Sequence, residues 1–252
     1  MQLDINADAG ESFGRWVLGR DAELLPLVTT VNVACGFHAG DPANMRASIV
    51  LARETGISVG AHPGYPDLIG FGRRRFAMSE QEALDCILYQ TGALAALAAT
   101  EGVVLSHVKP HGALYGQVAS TPSLALSLAV ALQSIRPGLS LITAPFAAAE
   151  AVRAAGLPVV TDAPADLEYD DDGINIIEPV PGWKDPEVVA QRALDLANGF
   201  VVSISGRRVP LAPESICVHG DRPNAPEVAA AVRSALESAG HTIRGAFVAP
   251  AS

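Results

Sequence analysis

Short apolar runs alternate along this chain with longer stretches that have helical periodicity. The apolar and β-branched runs predict seven strands, at Gln2–Asn6, Thr29–Ala34, Ser58–Ala61, Val103–Val108, Leu139–Thr143, Val159–Thr161 and Ser215–His219. The helical patterns between them cover residues 42–55, 79–101, 121–135, 146–155, 185–198 and 225–239. Helix start signals support these boundaries, since Ser79 and Glu82 have the spacing of a capping box and Asp41 places a polar cap before a proline.

This alternation of strands and helices predicts right-handed βαβ units around a parallel sheet. Seven units in succession favour an α/β fold with a single (β/α) barrel of about seven parallel strands. The first strand is not followed by a GxGxxG turn, which argues against a dinucleotide-binding domain. Residues 164–184 and 199–214 are irregular insertions, and the second has the pattern of a hairpin. We therefore expect one domain over residues 1–252.

Composition narrows the class of protein. The net charge is −10 over 252 residues, and the only run of basic residues is Arg73–Arg75, so nucleic-acid binding is not expected. The three cysteines lack metal-binding spacing and fit a reducing cytoplasm. The first residues, MQLDINADAG, lack the basic and then apolar start of a signal peptide, and no window has 18 uncharged apolar residues. The sequence thus predicts a cytoplasmic globular protein with a small-molecule substrate and no membrane partner.

Polar residues follow five of the predicted strands, at the end where (β/α) barrels place their chemistry. They are Asn6, Asp8 and Glu11; Asn32, His38 and Asp41; His62; His107, Lys109 and His111; and His219 and Asp221. Each has an ordinary explanation alone, such as helix capping by Asp41 or turn hydrogen bonds from Asp8 and Glu11. Because all of them fall at one end of the sheet, the pattern predicts a shared pocket.

The residue types limit the chemistry of this pocket. Asp8, His38 and His62 would suit Zn²⁺ or a similar divalent metal with an open position for water. Without a metal, the same groups can exchange protons near neutral pH. Lys109 is one of two lysines beside fifteen arginines, and we expect it to meet a carboxylate, a phosphate or an oxyanion. The residues alone indicate a barrel hydrolase that acts on a small anionic or amide substrate.

Six segments closely resemble the LamB/YcsF family, the family of the 5-oxoprolinase A component. They are LDINADAGESFG at 3–14, NVACGFHAGDP at 32–42, GAHPGYPDLIGFGRR at 60–74, YQTGAL at 89–94, HVKPHGALYG at 107–116 and ICVHGDRPNA at 216–225. The resemblance implies a seven-stranded barrel similar to the polysaccharide-deacetylase and glycoside hydrolase-deacetylase fold. It also implies ATP-dependent opening of 5-oxo-L-proline to L-glutamate, with ATP and Mg²⁺ as cofactors and subunits B and C as partners.

The resemblance assigns the strand-end residues to two groups. The catalytic group is Asp8, Glu11, His38, His62, Lys109 and His111. The group that binds substrate or nucleotide is Asn6, Asn32, Asp41, Arg74, Tyr115, Asp166, His219 and Asp221. Lys109 and Arg74 would face phosphoryl oxygens, and Asp8, Glu11 or a histidine would activate water. Two alternatives stay open: a metal-dependent deacetylase or amidohydrolase that works alone through Asp8, His38 and His62, and a regulatory component that binds a ligand without turnover.

One segment departs from the family pattern. In residues 161–183, Asp166 and Tyr169 match, but Leu167 stands where an arginine is expected. Glu178 stands near the place of a second basic residue, and Val180 replaces a glutamine. If both changed side chains point into the pocket, the loss of two cations should weaken the binding of a doubly anionic species by several kcal/mol. This segment therefore predicts a retuned pocket.

Overall fold

A computed structural model describes residues 2–247 of the chain, with helices around a central sheet. The strands are β1 (Gln2–Ala9), β2 (Thr30–Ala34), β3 (Ser58–His62), β4 (His107–Val108), β5 (Ser140–Thr143), β6 (Val159–Pro164), β7 (Glu168–Tyr169), β8 (Asn175–Ile176), β9 (Phe200–Val202), β10 (Arg208–Pro210), β11 (Ser215–His219) and β12 (Thr242–Ile243). The helices are α1 (Asp21–Leu24), α2 (Pro42–Thr55), α3 (Glu80–Thr100), α4 (Gly112–Ser120), α5 (Pro122–Ile135), α6 (Ala147–Ala154), α7 (Pro186–Ala197) and α8 (Ala225–Ser238).

The main sheet is a closed barrel of parallel strands. β1 to β6 lie side by side in chain order, β11 follows β6, and β11 pairs with β1 to close the ring. In that last pair, Asp4 lies opposite Ser215 and Asp8 lies opposite His219. The predicted seven-stranded barrel is confirmed, and its carboxyl ends form one mouth. The short strand β12 adds a parallel pair to the start of β1 at the opposite end.

Side-chain alternation along β1 explains why the barrel has a polar interior. Leu3, Ile5 and Ala7 belong to the apolar core, whereas Asp4, Asn6 and Asp8 are buried among other polar groups. The amide nitrogen of Asn6 donates to Ser215 Oγ at 2.8 Å. Asn32 donates to both Asn6 and Asp8 at 2.8 Å. Polar side chains therefore fill the barrel and bond to one another, and the core lies between the strands and the helices.

Helix boundaries follow their sequence signals. Ser79 and Glu82 form both halves of a capping box at the start of α3. Asp41 caps α2 by accepting from the amides of Ala43 and Asn44. Among residues 2–247, α3 is the one single helix that is long and apolar enough to cross a membrane. Helices α4 and α5 reach that length and apolarity only when taken together, and they are bent by 106° at the break between them. Much of the apolar face of α3 packs into the core of this barrel.

Several local features differ from the sequence prediction, which included neither α1 nor β12. The fourth strand is shorter, since only His107–Val108 pair with β3 and β5. The segment after it forms α4, although its two glycines are typical of a turn. Within the irregular 164–184 segment, β7 and β8 form an antiparallel hairpin that the sequence did not predict. The other hairpin, β9 with β10, agrees with its prediction.

Glycines make room for the histidines of the barrel. A Cβ atom at Gly60 would overlap the imidazole of His107, and one at Gly64 would overlap His38. Below this layer, the His107 ring stacks on Phe247 with 4.6 Å between centroids. The two imidazole rings occupy the volume that a side chain at Gly60 or Gly64 would need. The placement of His107 and His38 therefore requires glycine at these two positions.

Candidate functional site

A small cleft of about 50 Å³ opens at the carboxyl ends of the strands. Six of the predicted site residues line it: Asp8, His62, Lys109, His111, Tyr115 and His219. Residues that the sequence prediction omitted also line it, among them Asp162, Arg73 and Arg222. The predicted shared pocket therefore has a physical counterpart, and the side chains at its floor form two adjoining clusters.

The first, here called the lysine cluster, consists of Lys109 with Asn6, Asp8, Asp162 and Cys217. The ammonium of Lys109 lies 2.9 Å from Asp162 Oδ2 and 3.3 Å from Asp8 Oδ1. It also lies 3.0 Å from Asn6 Oδ1 and 2.9 Å from Cys217 Sγ. Three N–H groups thus have four neighbours in the protein, and the anions that Lys109 meets are the protein's own carboxylates.

Charge balance keeps this cluster ionised. Burial alone would lower the pKa of Lys109, but the carboxylates of Asp162 and Asp8 outweigh burial and raise that pKa well above its ordinary value. Burial would raise the pKa of Asp8, but His62 and Lys109 outweigh it and hold that pKa well below its ordinary value. Lys109 is consequently a fixed cation between fixed anions.

The second, here called the histidine cluster, consists of Glu11, His38, His62 and His111. The Nδ1 of His62 lies 2.7 Å from the carbonyl oxygen of Lys109, so Nδ1 carries a proton and, in the neutral ring, Nε2 is the acceptor. His111 Nε2 lies 2.8 Å from the carbonyl oxygen of Phe71, so its Nδ1 is likewise the acceptor in the neutral ring. The other two ring nitrogens, His62 Nε2 and His111 Nδ1, lie 3.0 Å apart, at hydrogen-bond distance, so a single proton or a metal ion can link them.

His38 completes the cluster. Its ring stacks on His111 at 3.8 Å, and neither of its buried nitrogens has a hydrogen-bond partner within residues 2–247. Burial, reinforced by neighbouring imidazoles, lowers the pKa of both His38 and His111 well below the ordinary value. Burial, reinforced by Asp221 and Asp8, raises the pKa of Glu11 well above its ordinary value. The cluster is therefore largely uncharged.

This donor set fits a divalent metal ion. One ligand atom from each of the four residues lies within 4.8 Å of the other three, and all four side chains are buried. The grouping differs from the predicted set of Asp8, His38 and His62, because Glu11 and His111 take the place of Asp8. Asp8 instead reaches the cluster only through His62, whose Nε2 lies 3.3 Å from Asp8 Oδ2. Imidazole and carboxylate ligands of this kind suit Zn²⁺ and similar ions.

A third network lies at the side of the cleft. Asp166 accepts from His219 Nδ1 at 2.8 Å and from Arg222 Nε at 2.6 Å. Burial would lower the pKa of His219, but the Asp166 carboxylate outweighs it and raises that pKa. Arg222 also donates to Glu178 at 2.9 Å. Glu178 and Leu167 both line the cleft, as the predicted retuning required, and the charge of Glu178 is balanced by Arg222 and Lys184.

Several predicted residues lie beside the cleft. The Arg74 side chain is 61% exposed and bonds both oxygens of Asp67, away from the cleft. Asp41 caps α2 and accepts from the amide of Gly14 at 2.7 Å. Asn6 and Asn32 hold the polar interior, and Asp221 bonds Arg73 at 2.6 Å. None of these predicted residues lines the cleft, and the bonds named here are all within the protein.

The sequence prediction missed Asp162, Arg73 and Arg222. Asp162 lies in the buried strand β6, where an acidic residue in an otherwise apolar run was the available signal. Arg73 is one of three adjacent arginines, and its sequence does not distinguish it from Arg74. Arg222 follows the last strand directly after Asp221, so its position alone could have marked it.

The fold and these clusters define a (β/α) barrel with a buried acid–base centre at its mouth. The LamB/YcsF family matches residues 3–249, and the chain belongs to this family. It is 47% identical to the A component of 5-oxoprolinase from Thermus thermophilus, over 97% of this chain and 99% of that protein. It is 44% identical to the same component from Pyrococcus abyssi, over 95% of this chain and 96% of that protein.

Solved structures agree with this membership. A lactam utilization protein from Thermus thermophilus superposes with a TM-score of 0.85 at 45% identity, covering 97% of this chain and 99% of that one. A family 4 carbohydrate esterase from Streptomyces lividans superposes with a TM-score of 0.53 at 15% identity, covering 99% and 98%. The second likeness concerns the fold alone, and it agrees with the expected deacetylase-type barrel.

Proposed function

We propose that this protein works as the A component of an ATP-dependent 5-oxoprolinase and opens 5-oxo-L-proline to L-glutamate. The proposal also includes partner subunits B and C, ATP with Mg²⁺, and a cytoplasmic location, where ATP is available and the three buried thiols can stay free. Its support is the name shared by relatives that align over almost the whole chain. The structural observation that carries it is that the ionised lysine cluster and the largely uncharged histidine cluster lie next to each other at the floor of one cleft.

The chemistry of a lactam explains the need for ATP. A five-membered ring amide is a poor electrophile, and phosphorylation of its oxygen would produce an imidate-like group that water can attack. Balanced in atoms, ATP gives its terminal phosphoryl group to the lactam oxygen and leaves as ADP. One water then adds to the ring carbon, and the C–N bond breaks as the ring nitrogen takes up a proton, which leaves an acyl phosphate. A second water cleaves this acyl phosphate and releases phosphate and L-glutamate. The protein must then bind the ring, orient water, accept a proton from it and supply one to nitrogen.

The two clusters divide these tasks. His62 lines the cleft, and we assign its Nε2, when the ring is neutral, to accept the proton of water. Asp8 lies 3.3 Å from that nitrogen and would stabilise the imidazolium that forms. Lys109 keeps Asp8 ionised and stays in place throughout. Glu11, which burial keeps protonated, is the nearest carboxylic acid to His38, with 3.7 Å between Oε1 and Nε2.

The direct test is glutamate release from 5-oxo-L-proline. The purified chain, the two partner subunits, ATP and Mg²⁺ are combined, and each component is omitted in turn. We expect glutamate only from the complete mixture, and His62→Gln should abolish it. His241→Gln is the matched control, since His241 follows α8 and does not line the cleft. Full activity of His62→Gln would contradict the assigned role, and no glutamate from the complete wild-type mixture would contradict the function.

The histidine cluster favours a second candidate, a metal-dependent amidohydrolase or deacetylase that works alone. Its specific observation is the approach of His62 Nε2 to His111 Nδ1, at 3.0 Å, beside the ring of His38, whose two nitrogens have no hydrogen-bond partner within residues 2–247. A divalent ion held by these residues and Glu11 would supply Lewis-acid activation and a water of lowered pKa. This candidate predicts chelator-sensitive hydrolysis of simple amides or acetylated sugars without ATP or partners. Binding of 5-oxo-L-proline without turnover in any mixture would instead support the ligand-binding alternative.

A further inference from the structure

The cleft contains more than one cation, and they differ in what they can still bind. Lys109, Arg73 and Arg222 are the lysine and arginine side chains among its lining residues. Carboxylates of Asp8 and Glu178 line it as well. An anionic substrate entering such a cleft must meet a cation with free donors, because an unpaired anion beside buried carboxylates would be strongly disfavoured.

Of the lysine and arginine side chains, Lys109 and Arg222 have at most one N–H group left for this purpose. The ammonium of Lys109 is surrounded by the lysine cluster. Arg222 is 2% exposed, and all three of its nitrogens donate to the protein. Its Nε bonds Asp166 Oδ2 at 2.6 Å, its Nη1 bonds Glu178 at 2.9 Å, and its Nη2 bonds the carbonyl oxygen of Asp166 at 2.9 Å. Both cations are therefore structural counter-charges.

Arg73 is different. Its Nη2 bonds Asp221 Oδ2 at 2.6 Å, whereas its Nε and Nη1 have no acceptor within the described residues 2–247. The side chain is 12% exposed and lines the cleft, so these free donors lie at the surface that a ligand would contact. A guanidinium with one side anchored and two nitrogens free is suited to a carboxylate, which accepts from two donors of its planar fork.

The backbone beside Arg73 is held in an unusual conformation. Phe71 has φ of +53°, and among residues 2–247 it is the one residue other than glycine with positive φ. Its carbonyl accepts from His111, and its ring centroid lies 4.9 Å from the Arg73 guanidinium carbon. Strained backbone of this kind persists where surrounding contacts over-determine it, often at ligand sites. Here it fixes Arg73 at the edge of the histidine cluster.

We infer that Arg73 binds the ring carboxylate of 5-oxo-L-proline and so selects an anionic lactam over a neutral one. This inference rests on the proposed function and adds the specificity of the same cleft. The family resemblance placed Arg74 against phosphoryl oxygens, whereas the contact assigned here is between Arg73 and the ring carboxylate. Arg74 points away to Asp67, and Arg75 is exposed.

The test compares two ligands that differ only in charge, 5-oxo-L-proline and its neutral amide, 5-oxo-L-prolinamide. Binding of each is measured by calorimetry to the full chain, and KM and kcat for the acid are measured in the complete mixture. In Arg73→Gln we expect binding of the acid to weaken by about 10- to 100-fold and binding of the amide by less than about threefold. KM for the acid should rise more than kcat falls. Arg73→Lys keeps the charge without the fork, and its loss should be intermediate.

Arg74→Gln and Arg75→Gln are the matched controls, and both should bind the acid as the wild type does. Because Arg73→Gln leaves Asp221 without its partner, thermal unfolding of each variant is recorded, and Arg73→Lys supplies the comparison if Arg73→Gln unfolds. Equal weakening of acid and amide would overturn the inference, as would the selective loss appearing in Arg74→Gln. Glutamate release without the selective loss would overturn the Arg73 assignment alone. A wild type that neither binds the acid nor releases glutamate would overturn the proposed function as well.

Discussion

The lysine cluster and the histidine cluster lie side by side, joined by the contact between Asp8 and His62, yet they respond to burial in opposite ways. In the lysine cluster, two carboxyl groups face one ammonium, and the pKa shifts of Asp8 and Lys109 keep both of these groups charged. In the histidine cluster, imidazoles face other imidazoles, and the pKa values of His38 and His111 are lowered well below the ordinary value. The immediate neighbours of each group therefore decide its charge, even where burial is equal.

This difference separates two functions within one cleft. A saturated ion-pair network is rigid, and its charges hold neighbouring groups in fixed protonation states. An uncharged cluster with free lone pairs can take up a proton or a metal ion. The lysine cluster can therefore supply a constant electrostatic field, and the histidine cluster can supply an exchangeable proton. Both clusters are built from adjacent strands of one barrel. The following experiments change each cluster in turn, beginning with the largest expected effect.

Replacing Lys109 should have the largest effect. Lys109→Met leaves Asp8 and Asp162 buried without their counter-charge, which we expect to cost about 3–5 kcal/mol of unfolding free energy. Glutamate release should fall by at least about 100-fold, because the fixed charges around His62 are lost. Urea unfolding and the coupled assay measure the two effects.

The other lysine of the chain provides the control. Lys184 pairs with the partly exposed Glu178, so Lys184→Met should cost about 1 kcal/mol or less. Adding Asp162→Asn to Lys109→Met should recover part of the lost stability, since one uncompensated carboxylate is removed. Equal losses for the two lysine variants would show that the buried network has no special contribution.

Metal binding tests the histidine cluster directly. We expect chelator-treated protein to bind Co²⁺ with visible absorption bands of a nitrogen-ligated ion, and to gain about 2.7 kcal/mol of stability at a free ion concentration one hundred times the dissociation constant. His111→Gln should remove both signals, while His241→Gln should keep them. If the ion binds equally well to both variants, its site is not the histidine cluster.

The pH dependence of stability separates the clusters without mutation. His38 and His111 have lowered pKa values, and burial lowers the pKa of His107 to about 3. Below about pH 6.5 the unfolded chain therefore binds protons that the folded chain does not, and stability should fall by about 1.4 kcal/mol per pH unit for each such histidine. The raised pKa values of Glu11, Asp4, Asp21 and His219 act in the opposite direction, because each of these folded groups keeps a proton that the unfolded group has lost, and they offset part of this fall.

The lysine cluster should fail at other pH values. The raised pKa of Lys109 gives stability that is present below about pH 10.4 and is lost as pH rises through the folded value. The lowered pKa of Asp8 gives stability that is lost only below about pH 3.9. Urea unfolding at pH 7.5, 6 and 5 should thus show a decline caused by the histidines. A constant free energy of unfolding over this range would contradict their neutral state.

The smallest effect is expected at the rim. Asp41→Ala removes the cap of α2 and should cost about 1 kcal/mol with little change in glutamate release. Asp185→Ala removes the equivalent cap of α7 and serves as the matched control. A fall in activity for Asp41→Ala alone would extend the site beyond the histidine cluster and support the sequence prediction that Asp41 contacts substrate.

Much of this architecture could be predicted from the sequence because its signals are local. Apolar runs marked all seven barrel strands, and caps at Ser79 and Asp41 marked helix starts. The ends of these strands also marked most of the cleft residues, since parallel strands in a barrel all end at one mouth. What could be predicted was which residues share the mouth.

Pairings within the mouth could not be predicted in the same way. Lys109 was expected to await an anionic ligand, but its partners Asp8 and Asp162 come from strands that are distant in sequence. The roles of Arg73 and Arg74 depend on a turn at Phe71, whose positive φ no residue-type preference indicates. Side-chain direction at a loop is decided by tertiary contacts, and sequence spacing carries little information about it.

The glycines that accommodate the imidazoles have a consequence for how this chain can vary. Gly60 and Gly64 leave the volume that His107 and His38 occupy, so even alanine at either position would displace a ring. In random mutagenesis, substitutions of Gly60 and Gly64 should be tolerated as poorly as substitutions of the histidines, although neither glycine has a side chain that takes part in the chemistry. Natural drift at the mouth is consequently limited by shape before it is limited by chemistry, and a new substrate would be reached more readily through the loops around the cleft than through its floor.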